Sequence, residues 1–531
     1  MLRCEILGVP ARELALAVVV AALAGGCDAG SESPEYELPA ISDPGRPVIY
    51  QLVVRLFGNT NGTNEWNGDL ATNGVGKFSD IDESALAAIG ELGVTHIWLT
   101  GVLQQATATD HSDVGQPADD PDVLKGRAGS FFAIRDYFDV CPDYADDPAA
   151  RLEELDALVE RIHAAGMKVV LDLVPNHVAR TYGSDVRPDL DFGAADDPAV
   201  FFSSSNNFFY LVDPPGQALA LPEPSHWPRP AGADGTLESE DNDGDPPGDV
   251  PRATGNNVTS PSPSEHDWYE TIKLNYGYDF AGGSTAFDPV PDTWSKMDAI
   301  LAYWQERGVD GFRCDFAHYV PIEAWQYLIA AARERDPQVL FVAEAYDAAD
   351  AAPGFSFSAL VQVGFDAVYD DATYDTIKGI HCCGKWANDI DALLPDDFLF
   401  PRMLRYAENH DERRLASPLV PGDNPDDSGL GDHDAGRAVA GALYLLGSGP
   451  LLVYNGQTVG EEGAGAEGFG GDDGRTTIFD YWTMPRLAQW VNGYQFDGGG
   501  LDASRRELRQ WYARLIDRSE EHTSELQSLL I

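Results

Sequence analysis

GVDGFRCDFAHYV, Gly308 to Val320, begins as a buried strand and ends on charge, with Arg313 and Asp315 two residues apart. Alternation along a strand puts both side chains on one side, where the guanidinium can hold the aspartate ionised and oriented. Taken alone, the pair reads equally well as a structural ion pair at a strand end. Its meaning depends on the runs around it. VIYQLVVRLF, VTHIWL, MKVVLDLV, VLFVAEA, FDAVYD, RMLRYAE and GPLLVYN are seven further short β-rich runs. Between them lie helix-length patterns such as DESALAAIGELG, DPAARLEELDALVERIHAAG, DTWSKMDAILAYWQERG, IEAWQYLIAAARERD and DAGRAVAGALYLLG. Several of these open on an aspartate suited to an N-cap. Eight strand–helix units predict an α/β fold with parallel strands, the (β/α)8 TIM barrel.

One connection breaks the rhythm. After DLVPNHV, about a hundred residues rich in Pro, Gly, Asp, Ser and Asn precede the helix near Asp292, too many for a plain loop. An inserted subdomain over 179–290 is expected after the third strand, dividing the barrel into 47–178 and 291–517. The chain has 531 residues, enough for a sizeable core, and its 35 Lys plus Arg against 87 Asp plus Glu give a net charge of -52. Such a surface repels phosphate backbones and anionic membranes, so nucleic acid is excluded as a partner. Only seven of the basic residues are lysine, which a salty habitat and a GC-rich genome explain equally.

The first residues combine Arg3 and Arg12 with an apolar run from Leu14 to Ala24, too short to span a membrane comfortably and typical of an export signal. Its end, LAGGC, resembles a bacterial lipobox and makes Cys27 the expected lipid anchor, an ordinary cleaved signal being the alternative. A signal over 1–27 and a tether over 28–46 follow, with export to the cell surface or periplasm and membrane contact only through the anchor. A monomer is expected. Four further cysteines, Cys141, Cys314, Cys382 and Cys383, are too few for a disulfide scaffold, and the adjacent Cys382 and Cys383 are not expected to bridge each other.

In a barrel of this kind, reactive groups gather where strands end, because side chains from different strands converge only there. Asp172, Asn176 and His177 end one strand, Arg313 and Asp315 the next, Glu344 in FVAEAYD another, and Asn409, His410 and Asp411 in YAENHDE a fourth. Packing alone requires no such gathering of acids and histidines. No thiol nucleophile, P-loop or dinucleotide fingerprint accompanies them, and clustered carboxylates suit glycoside cleavage through an oxocarbenium-like state.

DLVPNH, GFRCD, AEAY and ENHD also resemble, in order and at the right strands, four short conserved regions of the α-amylase family of glycoside hydrolases (glycoside hydrolase family 13). GVTHIWLT, FFAIRDYFDVCPDYA and YNGQTVGEE are similar to that family's second strand, third-strand approach and eighth strand. The likeness runs from Val48 to Asp517. It implies Asp315 as nucleophile, Glu344 as general acid/base and Asp411 as the third carboxylate, which stabilises the transition state. It further implies Arg313, His177 and His410 as companions around the −1 sugar. Phe132 stands where the family has a stacking tyrosine, which keeps the platform and loses the hydroxyl. His318 and Tyr319 replace the family's Lys-His on the acceptor side, His318 keeping a substrate-binding position. Asn176 resembles a calcium ligand, so calcium is the expected cofactor, and Asp172 is expected to orient the strand end.

The implied function is hydrolysis of α-glucosidic bonds in starch-like α-glucans or maltooligosaccharides by a retaining double displacement. Retention corresponds to catalytic carboxyls about 5 to 5.5 Å apart. A transglycosylase and a catalytically silent carbohydrate-binding relative are the alternatives, the second disfavoured because all three carboxylates are present. The insert's ESEDNDGDPPGD reads as a solvated acidic loop or a calcium site without EF-hand spacing, and Trp227, Trp268 and Tyr269 as sugar platforms or local core. At the far end, RSEEHTSELQS (Arg518–Ser528) is what a common sequencing-library adapter gives when translated, so 518–531 is expected to be foreign to the native chain. The family's C-terminal β-sandwich is then expected to be missing. The helix face bearing Leu508, Trp511, Tyr512 and Leu515 would lie partly uncovered.

Overall fold

The computed structural model describes residues 46–222, 233, 250–393, 397–420, 422, 428–463 and 474–530. The export signal, Cys27, the tether, Trp227 and the acidic stretch ESEDNDGDPPGD lie outside the described residues. No described helix is long and apolar enough to cross a membrane.

Eight parallel strands close into a barrel in which each strand pairs with its sequence neighbours and the last returns to the first. They are β1 (Val48–Val53), β2 (His96–Thr100), β3 (Lys168–Leu173), β4 (Gly311–Cys314), β5 (Leu340–Ala343), β6 (Ala367–Tyr369), β7 (Met403–Tyr406) and β8 (Leu451–Tyr454). Seven fall within the runs that the sequence offers as strands, and β2 exceeds its run, VTHIWL, by Thr100 alone. Parallel strands are covered on both faces, which is why these runs read as near-continuous apolar stretches rich in Val, Ile and Leu. Closure is set by the pairing of Val48 with Leu451 on one side of β1 and of Ile49 with His96 on the other.

The helices expected between the strands form over Glu83–Gly90, Arg151–Ala164, Asp292–Glu306, Ile322–Arg335 and Gly436–Leu445. Asp82 caps the first of them, its carboxylate accepting the Ala85 amide at 2.8 Å. Asp292 instead lies inside its helix behind Pro291 and makes no cap bond. Leu155, Leu158, Val159 and Ile162 recur at helical spacing and are buried, so that helix turns one apolar face to the barrel.

The insert grows from β3 as a ladder rather than a loose loop. His177–Ala179 runs antiparallel to Thr271–Lys273, pairing His177 with Lys273 and Ala179 with Thr271. Phe209, Leu211 and Ala253 give the insert a small core of its own, flanked by Phe201, Phe202 and Phe280.

In the last helix, Ala503–Leu530, Leu508, Tyr512, Leu515 and Ile516 are buried and Trp511 is half-buried. One expectation is corrected. Cys382 and Cys383 are joined by a disulfide, although a trans peptide sets their Cα atoms 3.7 Å apart, closer than in ordinary bridges. The bridge forms where the helix Asp371–Cys382 ends: Cys383 has left helical geometry (φ -130°) and Gly384 turns the chain at φ +78°. Cys141 and Cys314 are free and buried.

Replacing Asp82 by alanine is expected to lower stability by about 1 kcal/mol, because the Ala85 amide loses its acceptor. Thermal denaturation reads this directly, and an unchanged melting temperature would contradict the cap.

Candidate active site

The ladder that closes the barrel also sets the acids at one level. Asp172 on β3 pairs with Arg313 on β4, and Cys314 pairs with Ala343 on β5. One residue further, the Asp315 amide donates to the Leu173 carbonyl at 2.9 Å and the Glu344 amide to the Cys314 carbonyl at 3.0 Å. Asp315 and Glu344 therefore leave the sheet side by side at its carboxyl end, and Asp411 arrives from the loop after β7.

Arg313 joins them. Its Nη1 lies 2.8 Å from Asp315 Oδ1 and 3.4 Å from Asp172 Oδ1, and its Nη2 lies 2.9 Å from Glu344 Oε2. The guanidinium is only 1% exposed and sits against the rings of Trp98, Phe132 and Tyr369. Burial opposes its charge, yet Glu344, Tyr369, Asp315 and Asp172 raise its pKa well above the ordinary value. Asp315 is pushed the unusual way for an aspartate: burial raises it first and the charge of Glu344 adds to that, with Arg313 opposing. Two carboxylates around one guanidinium resist double ionisation, which favours retention of one proton at the site.

The two oxygens of Asp315 are unlike. Oδ1 is held by Arg313, whereas Oδ2 is buried without a hydrogen-bond partner. Glu344 is gripped at both oxygens: Tyr346 OH donates to Oε1 at 3.0 Å, and the Phe316 amide donates to Oε2 at 2.9 Å. Phe316 reaches that position only in the left-handed region, φ +42°, a strained backbone for a bulky residue. Asp411 is open to the cleft on one side and walled by protein on the others. Burial pulls it upward, but His410 Nε2 at 3.0 Å, Arg313 and Arg475 outweigh that and hold it down at about 2.

A cleft of about 370 Å³ lies over these groups. Phe132 forms part of its wall and leans on the His410 ring at 5.1 Å, and His177 packs against Trp268 at 5.1 Å. Burial, with Lys273 adding to it, lowers His177 to about 3, so it is a neutral imidazole at neutral pH. Of the residues singled out from the sequence, Asp315, Glu344, Asp411, His177, His410 and Phe132 line the cleft, and Arg313 lies beneath them. His318 does not: it is buried behind Phe316, its ring 5.3 Å from that ring. Trp268 lines the cleft, whereas Tyr269 is core, its hydroxyl donating to the Leu124 carbonyl at 3.1 Å.

Other contributors were not singled out from the sequence. Gln51, a lone polar residue in the β1 run VIYQLV, lies with Nε2 2.8 Å from His410 Nδ1, and its polarity in a buried strand was the available signal. Arg475 donates to the Asp411 carbonyl at 3.2 Å and, with Ile478 and Phe479, closes the cleft from the loop after β8. Nothing periodic marks that loop. Lys125 and Glu270 also face the cleft.

Residues 51–227 match the family model described as alpha amylase, catalytic domain. The chain is similar to the alpha-amylase MalA of Haloarcula japonica, 26% identical over 81% of this chain and 46% of that protein. It is likewise 26% identical to Maltase 1 of Drosophila virilis, over 51% of this chain and 32% of that one. It thus spans less than half the length of both relatives. Among solved structures, an alpha-amylase from Lactobacillus plantarum shares the fold with a TM-score of 0.51 and 21% identity, over 85% of this chain and 79% of that one.

The donors around Asn176 do not suit the calcium expected there. Its Oδ1 accepts Lys273 Nζ at 2.6 Å, and its Nδ2 donates to the Gly255 carbonyl at 2.8 Å. Calcium takes six to eight oxygens, and here the side-chain oxygen already binds a buried amine, so these residues do not fit the ion. Burial lowers Lys273 to about 7, with Asp350 opposing. The unfolded chain then holds this proton more tightly than the folded one, so stability should rise as pH climbs from 7 towards the ordinary lysine value. Lys273→Met is expected to flatten that rise when unfolding is compared at about pH 7 and about pH 10. Parallel wild-type and variant profiles would contradict the assignment, as would a Lys273-dependent response to chelator.

Proposed function

This chain is a member of the alpha-amylase family, and from that premise we propose that it is an exported, retaining glycosidase. Its proposed substrates are starch-like α-glucans or maltooligosaccharides, cleaved at α-glucosidic bonds. The observation that carries the reading is Arg313 holding Asp315 and Glu344 together, with Asp315 Oδ2 free of partners.

In the first step Asp315 Oδ2 attacks the anomeric carbon while Glu344 gives its proton to the departing glycosidic oxygen. The anomeric carbon–oxygen bond breaks, and a glycosyl ester forms on Asp315. Glu344, now a carboxylate, takes a proton from water, and the resulting attack on the same carbon releases Asp315. Asp411, ionised because it is held at about 2, supplies negative charge where the oxocarbenium character develops. The neutral His177 exchanges hydrogen bonds with a sugar hydroxyl, and Phe132 stacks beneath the ring. Transfer to a second sugar instead of water is the alternative reading, supported by Trp268 and Phe316, whose rings meet at 4.5 Å beside Glu344. Export and lipid attachment at Cys27 rest on the leader sequence alone.

Asp315→Asn is expected to lower turnover of maltooligosaccharides by at least roughly a thousandfold with the fold intact, since an amide cannot form the ester. Wild-type rates from a sequence-verified variant would sink the assignment. Glu344→Gln should cost far more on sugars with poor leaving groups than on an activated aryl glucoside, which needs no proton. Equal losses on both would speak against Glu344 as the acid.

A further inference from the structure

Lys125 and Glu270 form a charged pair in the cleft wall that the displacement chemistry does not use. Lys125 Nζ lies 3.2 Å from Glu270 Oε2, and the two side chains are 2% and 7% exposed. The position of Glu270 is set by the ladder that carries His177, its carbonyl accepting the Arg180 amide at 3.3 Å just beyond the pairing of Ala179 with Thr271. Lys125 comes from the loop after β2, donates to the Asp267 carbonyl at 2.9 Å and lies over the Tyr269 ring. Beyond this ion pair, Glu270 Oε2 has no hydrogen-bond partner in the protein. Lysine is one of the rarer residues in this acidic chain, and this one holds a carboxylate at the substrate cleft.

We propose that Glu270, oriented by Lys125, binds the hydroxyls of a glucosyl unit beyond the one being cleaved, and so sets the preference for oligosaccharide over single-sugar substrates. The proposal rests on the glycosidase reading above. A pyranose edge presents adjacent O–H donors, and a carboxylate with free lone pairs accepts them in charge-assisted hydrogen bonds. Trp268, two residues away and on the same cleft, offers the flat face on which a sugar ring packs. The competing role is a staple between the Lys125 loop and the insert, which would affect stability and all substrates alike.

The test compares Glu270→Gln and Glu270→Ala with wild type on maltopentaose and on 4-nitrophenyl α-glucoside, and measures maltopentaose binding calorimetrically in the Asp315→Asn background. The ratio of kcat/KM for maltopentaose to that for the aryl glucoside should fall roughly tenfold, through KM, as expected when a site built for hydroxyls loses its acceptor. Maltopentaose affinity should fall by a similar factor, with wild-type melting temperatures. Proportionate losses on both substrates, a lowered melting temperature in both variants, or unaltered affinity would overturn the proposal. Failure of the wild-type protein to bind or turn over any α-glucoside would instead overturn the glycosidase reading on which it rests.

Discussion

The site depends on one guanidinium. Arg313 is a fixed charge sealed in the barrel, with Asp172, Asp315 and Glu344 around it and three aromatic rings over its faces. Charges taken out of water are costly, and three carboxylates without this cation would repel one another at short range. Arginine suits the place because it stays protonated and presents donors in a rigid fork. The fork sets Asp315 and Glu344 side by side and leaves one Asp315 oxygen unengaged. Asp411 lies at the edge of the same field, which helps to hold it ionised, whereas burial and the charge of Glu344 raise Asp315.

The barrel makes this arrangement possible by register. Because β3, β4 and β5 pair without a slip, residues that follow each strand by the same number of positions arrive at the same height. The insert extends the principle: its antiparallel ladder begins at His177, so the wall bearing Trp268 and Glu270 is tied to the strand that supplies the imidazole. Lys273 bonds Asn176 across that ladder, joining barrel to insert through the side chains themselves.

What could be read from the sequence follows from how local each signal is. Strands buried on both faces leave apolar runs, and all eight were legible. Acids that end such runs stand out against them, so Asp315, Glu344 and Asp411 were visible before any contact was known. Gln51 and Arg475 act through contacts 359 and 64 positions away in sequence, and no period points to them. Asn176 looked like a metal ligand because its own neighbourhood cannot reveal that Lys273 reaches it across 97 positions. His318 looked like a substrate contact from its place after the nucleophile, but the left-handed turn at Phe316 puts the phenyl ring in front of it. The Cys382–Cys383 bridge was missed because it depends on the chain leaving helical geometry at Cys383, a backbone detail that residue types do not encode.

The central claim is that Asp315 becomes covalently bonded to the sugar. A 5-fluoro-α-glucosyl fluoride reacts quickly in the first step and slowly in the second, so the ester should accumulate for peptide mapping by mass spectrometry. The account predicts one added fluoroglucosyl group, on the peptide containing Asp315 and localised to that residue. A label on another carboxylate, or steady turnover of the fluoride with no protein-bound sugar at any time, would contradict it.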